Sequence, residues 1–318
     1  RVLLCACVLH PFIKSSGNIC ESSPAVRGFD YVADEHFLSK STRNRTTRIR
    51  ALITTMAASS TAKNVADVLS RITVASSQRA STSASTRLVA VSKTKPVEQL
   101  REVYDAGHKI FGENYVQEIL EKAPKLPKDI SWHFVGHIQS NKAKALVQGV
   151  PNLKVVETVD SKKLADKLNV AVEQCKALRE ERLLDVMVQV NTSGEESKYG
   201  VAPGENVVDL AKHIRDNCKE LKLIGLMTIG MPDYTSKPEN FDRLKEERKR
   251  VCDALGLGED YERALELSMG MSGDFENAIA MGSTNVRVGS TIFGARDYSN
   301  KYSRERETER EKKTYSFV

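Results

Sequence analysis

Lys93 is the residue of this sequence with the clearest capacity for covalent chemistry. It stands in Val89-Ala-Val-Ser-Lys93-Thr-Lys95-Pro96, where a β-branched run ends and a proline opens the next segment. A lysine amine drawn out of water loses its proton more readily, and the neutral amine can add to an aldehyde as a Schiff base. Two runs of small residues, Ser268-Met-Gly-Met-Ser272-Gly273 and Gly289-Ser290-Thr291, offer complementary chemistry. Their glycines let backbone amides approach a phosphate, and the hydroxyls of Ser272 and Ser290 add donors. Lys95 shares the alternation parity of Lys93 but directly precedes Pro96, so it is expected to point outward at a helix start. His133, between Trp132 and Phe134, reads as a packed histidine, whereas His137 lies nearer a strand end. Glu113 and Asp160 also end strands, with nothing evident to pair them. HExxH, GxSxG and Walker sequences are missing, which removes the chemistries those motifs carry.

These residues become a site only if alternating strands and helices carry them to one place. Val65, Val68, Leu69 and Ile72 follow helical spacing and predict a helix ahead of the core. Strands are predicted at 87–92, 109–113, 132–136, 154–159, 184–190, 223–229, 265–271 and 286–293, most of them rich in β-branched residues. Helical patterns fall between them, among others at 97–106, 161–179, 207–217 and 240–255, with Pro96 at a helix start and Gly107 at a helix stop. Eight such units in one domain describe an α/β fold, a single (β/α)8 barrel, whose active site lies at the C-terminal ends of its strands. A doubly wound sheet would usually open with a glycine-rich turn, but the first turn here is Ser92-Lys93-Thr94-Lys95-Pro96. In the barrel, Lys93 ends strand 1 and Asn114 follows strand 2. Asn191 ends strand 5, Ser272 follows strand 7, and Arg287, Gly289 and Ser290 belong to strand 8. Strands 7 and 8 carry the usual phosphate site of this architecture. A lysine facing a phosphate site across one barrel mouth suits pyridoxal 5′-phosphate.

Composition sets the limits. In 318 residues, 40% are hydrophobic and 28% charged, enough apolar mass for a full-sized core. The apolar run Val2–Leu9 stops at His10-Pro11, well short of the ~18 residues of a membrane span. Residues 1–55 hold eight Lys/Arg against four Asp/Glu and residues 301–318 hold six against four, so the middle carries no net charge. A neutral core argues against a nucleic-acid partner. Cys175, Cys218 and Cys252 are scattered, without zinc spacing, and read as reduced residues of a cytoplasmic protein with no metal. Residues 1–60 are expected to lie outside the fold, either as an Arg/Ser-rich targeting segment or as sequence upstream of a start at Met56. The second is preferred because acidic residues and a proline precede the basic part. The barrel is expected over 61–300 and a charged, solvated tail over 301–318.

Trp132-His-Phe-Val-Gly136-His-Ile-Gln139-Ser-Asn141-Lys142 resembles a signature of the pyridoxal-phosphate homeostasis protein family. The segments around Lys93, Phe111-Gly-Glu-Asn114-Tyr115, Ser268–Ser272, Val286-Arg-Val-Gly289 and Ile292-Phe-Gly-Ala-Arg296-Asp-Tyr298 fit it in order, over about residues 62–298. The resemblance implies an alanine-racemase-like barrel of the fold type III class without its second β-domain. It implies pyridoxal phosphate held on Lys93, flanked by Asn114 and anchored by Ser272, Gly289 and Ser290. Arg287 would sit near the phosphate or the pyridine nitrogen, where it would weaken the ring as an electron sink. Lys198 matches a family segment whose role the residues do not reveal. The implied protein is a cytosolic monomer that buffers the cofactor and supplies apoenzymes, with no catalytic residue of its own. The alternative is an amino-acid racemase. That needs an acid/base group on each face of the ring, and the 25 residues after Phe293 are too few for the domain that supplies one in racemases.

Overall fold

A computed structural model describes residues 59–79, 85–195, 199–230 and 238–295. All lie in the unit Ala58–Val318. The expectations for the leader, the tail, Lys198 and Arg296 fall outside the described residues. Eight parallel strands close into a barrel in sequence order: β1 (Arg87–Val91), β2 (Ile110–Glu113), β3 (Ser131–Phe134), β4 (Leu153–Val159), β5 (Leu184–Gln189), β6 (Leu221–Met227), β7 (Glu266–Ser268) and β8 (Asn285–Val288). β8 pairs with β1, Val89 opposite Arg287, and this closure makes the ends of β7, β8, β1 and β2 one continuous arc.

The helices are α1 (Ser60–Ser77), α2 (Val97–Asp105), α3 (Val116–Lys122), α4 (Ala143–Gly149), α5 (Lys162–Gln174), α6 (Glu205–Asn217), α7 (Pro238–Leu255), α8 (Tyr261–Ala264), α9 (Phe275–Ala280) and α10 (Ser290–Phe293). α1 starts where Ser59 accepts the Ala62 amide at 3.1 Å, and it buries Val65, Val68, Ile72 and Ala75. α2 starts after Pro96, and Gly107, at φ +98°, ends that segment in a conformation glycine adopts without strain.

Strand alternation sorts the side chains. Leu88, Ala90, Phe111, Trp132, Phe134, Val156 and Val186 join the main core that packs against the helices. A smaller cluster, Val155, Met187 and Met227, is separate from it. Gly112 shows how tightly the chain is packed, because a Cβ there would meet Val89 Cγ1 at 2.7 Å and Val91 Cγ2 at 3.4 Å.

Several predicted boundaries change: strand 7, expected over 265–271, is only Glu266–Ser268, and strand 6, expected over 223–229, is Leu221–Met227. Strand 8 stops at Val288 instead of 293, and Ser290–Phe293 is a helical turn. The β-branched and aromatic residues beyond Gly289 look like strand, but Ile292 and Phe293 are buried in the main core, with α10 beside α1. Asn64 Nδ2 donates to Ile292 O at 3.0 Å and fixes that contact. The helix expected over 161–179 ends at Gln174 and resumes as a short turn, Ala177–Arg179, with Arg179 buried. Leu69, placed on the apolar face of α1, is exposed.

Candidate functional site

Lys93 follows β1 with the parity of Val89 and Val91, opposite to that of the helix-facing Leu88 and Ala90, and is half-buried. Its backbone is held from behind. Lys122 of α3 donates through Nζ to Ser92 O at 2.8 Å and contacts Glu113 Oε1 and Glu118 Oε1, each at 2.7 Å. Ser92 Oγ donates to Glu113 Oε1 at 2.7 Å, and the Thr94 amide donates to Glu118 Oε1 at 2.6 Å. Thr94 has φ +64°, a left-handed conformation that costs a β-branched residue on the order of 1 kcal/mol, and the bond to Glu118 holds it. Glu113 is therefore paired after all, on the helix side of the sheet. Burial pushes its carboxyl up to about 7; the Lys122 charge pulls the other way and the Glu118 charge adds to the rise. Lys95 also departs from expectation: it is buried, not outward, and its Nζ donates to Ala295 O beyond α10. The left-handed turn at Thr94 accounts for this change of direction.

On the neighbouring strands, small residues bring two loops together. Gly270 has φ +95°, and a Cβ there would meet Ala278 Cβ at 2.5 Å, so only glycine fits. Ser272 Oγ accepts the Gly289 amide at 3.2 Å, with the Thr291 amide at a long 3.5 Å. Two backbone donors after β8 thus converge on one oxygen supplied by the loop after β7. Ser290 is exposed at the same rim. On the other side of β1, Asn114 Oδ1 is buried without a hydrogen-bond partner among the described residues, and a Cβ on Gly136 would collide with the Asn114 carbonyl.

Arg287 is buried deeper than the sequence reading placed it. Nη2 donates to Thr228 O at 2.7 Å and Nη1 to Ser268 Oγ, within a network that sequence reasoning missed. Its centre is Glu157 of β4. Glu157 Oε1 accepts His133 Nδ1–H at 2.6 Å and Asn285 Nδ2 at 3.1 Å, while Ser268 Oγ donates to Oε2 at 2.6 Å. Burial alone would raise the Glu157 carboxyl, but the His133 hydrogen bond and charge, with Arg287 and Ser268, hold it below the ordinary carboxylate range. His133 is packed, as expected, with Glu157 as its partner.

A third group lies at the ends of β3, β4 and β5. The His137 ring stacks on Tyr199 with centroids 3.6 Å apart. Its Nδ1 is 3.2 Å from Asp160 Oδ2 but not aligned for a hydrogen bond. Gln189 donates to Tyr199 O at 3.1 Å and leaves Oε1 unpartnered among the described residues. Asn191 turns away, donating to Glu195 O at 2.8 Å.

The fold therefore brings Lys93, Asn114, Ser272, Gly289 and Ser290 to one arc of the barrel mouth, with Arg287 beneath it. An amine, an orphaned buried carbonyl oxygen and convergent amides form a donor set that fits an aldehyde carrying a phosphate. This combination of barrel and rim defines a class, the alanine racemase N-terminal domain, and the model of that family matches residues 72–297. The chain belongs to the pyridoxal phosphate homeostasis protein family. It is 51% identical over 223 residues to the mouse pyridoxal phosphate homeostasis protein, covering 68% of this chain and 78% of that one. The Schizosaccharomyces pombe protein of the same name is 46% identical over 212 residues, 66% of this chain and 84% of that one. Among solved structures, PipY of Synechococcus elongatus with pyridoxal phosphate bound is 28% identical with a TM-score of 0.58, covering 74% of this chain and all of PipY.

Proposed function

We propose that this protein binds pyridoxal 5′-phosphate at the β7–β8–β1–β2 arc, keeps the reactive aldehyde from free solution and supplies it to apoenzymes. The observation that carries the reading is the adjacency of Lys93, on the inner parity of β1, to the convergent amides after β8. In this reading Lys93 holds the aldehyde carbon in Schiff-base linkage. Gly289, Ser272 and Ser290 hold the phosphate, and Asn114 offers its buried oxygen to the ring substituents. Bound there, the cofactor supplies an electrophilic carbon and an electron-withdrawing ring. Arg287, pinned by Ser268 and Thr228, is a fixed cation with no proton to share, and a ring nitrogen next to it stays unprotonated. That weakens the electron sink and favours storage over turnover. Among the described residues, Cys175, Cys218 and Cys252 are free and buried, which supports a reducing cytoplasmic setting. No helix among the described residues is long and apolar enough to cross a membrane.

His137, beside Asp160 at the same mouth, is the observation that favours the racemase alternative, since it could serve as a second acid/base group. Two measurements decide. The protein as purified should absorb visible light, and borohydride should fix the cofactor to the Lys93 peptide; a Lys95 adduct would refute the assignment. Lys93→Ala should lose that absorbance. Exchange of the L-alanine α-proton for deuterium should not exceed that of free cofactor, and faster exchange abolished by His137→Phe would establish the enzyme instead.

A further inference from the structure

We propose that Asp166, His213 and Cys218 form a site for a zinc-class divalent cation that staples α5 to the end of α6, independently of the cofactor. Among the described residues this is the one group of His, Cys, Asp and Glu side chains whose donor atoms all lie within 4.8 Å of one another. His213 Nε2 is 2.6 Å from Asp166 Oδ1, and the Cys218 thiol donates to the same oxygen at 3.9 Å. The second ring nitrogen of His213 lies 3.3 Å from Asn217 Nδ2; a cation on Nε2 puts the ring proton on Nδ1, so the Asn217 amide turns its Oδ1 to that nitrogen when metal binds.

The backbone is arranged independently of these side chains. The Cys218 amide donates to Ile214 O at 3.1 Å, Leu221 N donates to Cys218 O at 3.0 Å, and Glu220 N donates to Asn169 Oδ1 of α5 at 2.9 Å. The turn after α6 is thus tied to α5, with the thiol facing the carboxylate. A thiolate, an imidazole and one carboxylate are a donor set for zinc or cadmium; magnesium and calcium prefer oxygen alone.

Tetrahedral bonds of about 2.0–2.3 Å need donors roughly 3.2–3.8 Å apart, so the Asp166–His213 pair must open by about 0.6 Å. Asp166, with 55% of its side chain exposed, has the freedom to do so and leaves a fourth position to water. Binding forms an M–S bond and releases the proton that the Cys218 thiol donates to Asp166 Oδ1. Thiolate and carboxylate then neutralise the dication.

The test uses the full chain, stripped with chelator under reducing conditions and titrated with Cd²⁺ while thiolate-to-metal absorption is followed in the ultraviolet. One equivalent of this signal should vanish in Cys218→Ser and Cys218→Ala and persist in Cys175→Ser. Apparent affinity should fall at least tenfold in His213→Gln and Asp166→Asn, both at solvent-reachable positions. Zn²⁺ should raise the Tm of the wild type and leave that of His213→Gln unchanged. An undiminished signal in both Cys218 variants, or equal affinity in His213→Gln, would overturn the site and leave an Asp166–His213 hydrogen bond over a buried thiol. Neither result bears on the binding of pyridoxal phosphate at Lys93.

Discussion

Glu157 inside the barrel and Glu113 on its helix side are both fully buried, and each has a basic side chain hydrogen-bonded to it, His133 and Lys122. Burial pushes both carboxyls up, yet their net shifts have opposite signs. Glu157 receives hydrogen bonds from His133, Asn285 and Ser268 with Arg287 beyond, and ionisation is favoured despite the dry surroundings. Glu113 shares one ammonium, Lys122, with a second carboxylate, and both Glu113 and Glu118 leave an oxygen unpartnered among the described residues. Two negative charges against one positive cannot offset the cost of burial, so Glu113 is held near neutrality. Donor count rather than proximity to a cation decides the state of each carboxylate. The inner network is fully subscribed and stiff, whereas the outer one, which braces the Lys93 backbone, holds a proton that can come and go.

The largest expected effect is at Glu157. Glu157→Ala strands Arg287 and His133 in a dry interior and should cost about 3–5 kcal/mol in urea unfolding of the full chain. A loss below about 1 kcal/mol would erase the distinction between the clusters. Lys122→Met should cost less, on the order of 2 kcal/mol, because Glu113 can retain its proton when the ammonium is gone. The same variant should retain less cofactor, as Ser92 and Thr94 lose their brace. Retention equal to wild type would detach the brace from the site.

The pH dependences have opposite signs. Glu113, with a raised carboxyl, binds its proton more tightly folded than unfolded, so its contribution falls as pH rises from about 4.5 to about 7. Glu157, with a lowered one, contributes fully above about 4.5 and loses that contribution as pH falls further. Glu113→Gln should therefore flatten the fall in stability between pH 4.5 and 7 by about 1 kcal/mol per pH unit at most; an unchanged slope would contradict the raised carboxyl. Thr94→Gly should change stability least, by under about 1 kcal/mol, since relief of the left-handed conformation is offset by a looser chain. A large loss there would show that the threonine side chain itself is required.

The barrel was legible because its strands repeat at a βα rhythm, and Lys93 was legible because parity and Pro96 mark where β1 ends. Strand 8 was overrun because Thr291, Ile292 and Phe293 have strand-like residue types and only their packing against α1 makes them helical. The inner network could not be read from sequence. Glu157 sits in Lys-Val-Val-Glu-Thr-Val like any polar residue on a strand face, and its partners come from β3, β7 and β8. The outer cluster was disguised differently: Glu118 and Lys122 are spaced as a solvated i, i+4 pair, yet both are buried. Asp166 lies on α5, some fifty residues from His213 and Cys218 at the end of α6, and the packing of the two helices is what brings them together. One signal was available, an acidic residue at the end of β2 followed nine positions on by lysine, but nothing in the sequence fixes the helix face.

The Ser272 hydroxyl gives the rim a further property. By accepting the Gly289 amide it keeps that donor satisfied, so an arriving anionic oxygen exchanges one acceptor for another rather than filling a bare position. The net gain is a difference between two bonds, which moderates the grip on an anion at this rim.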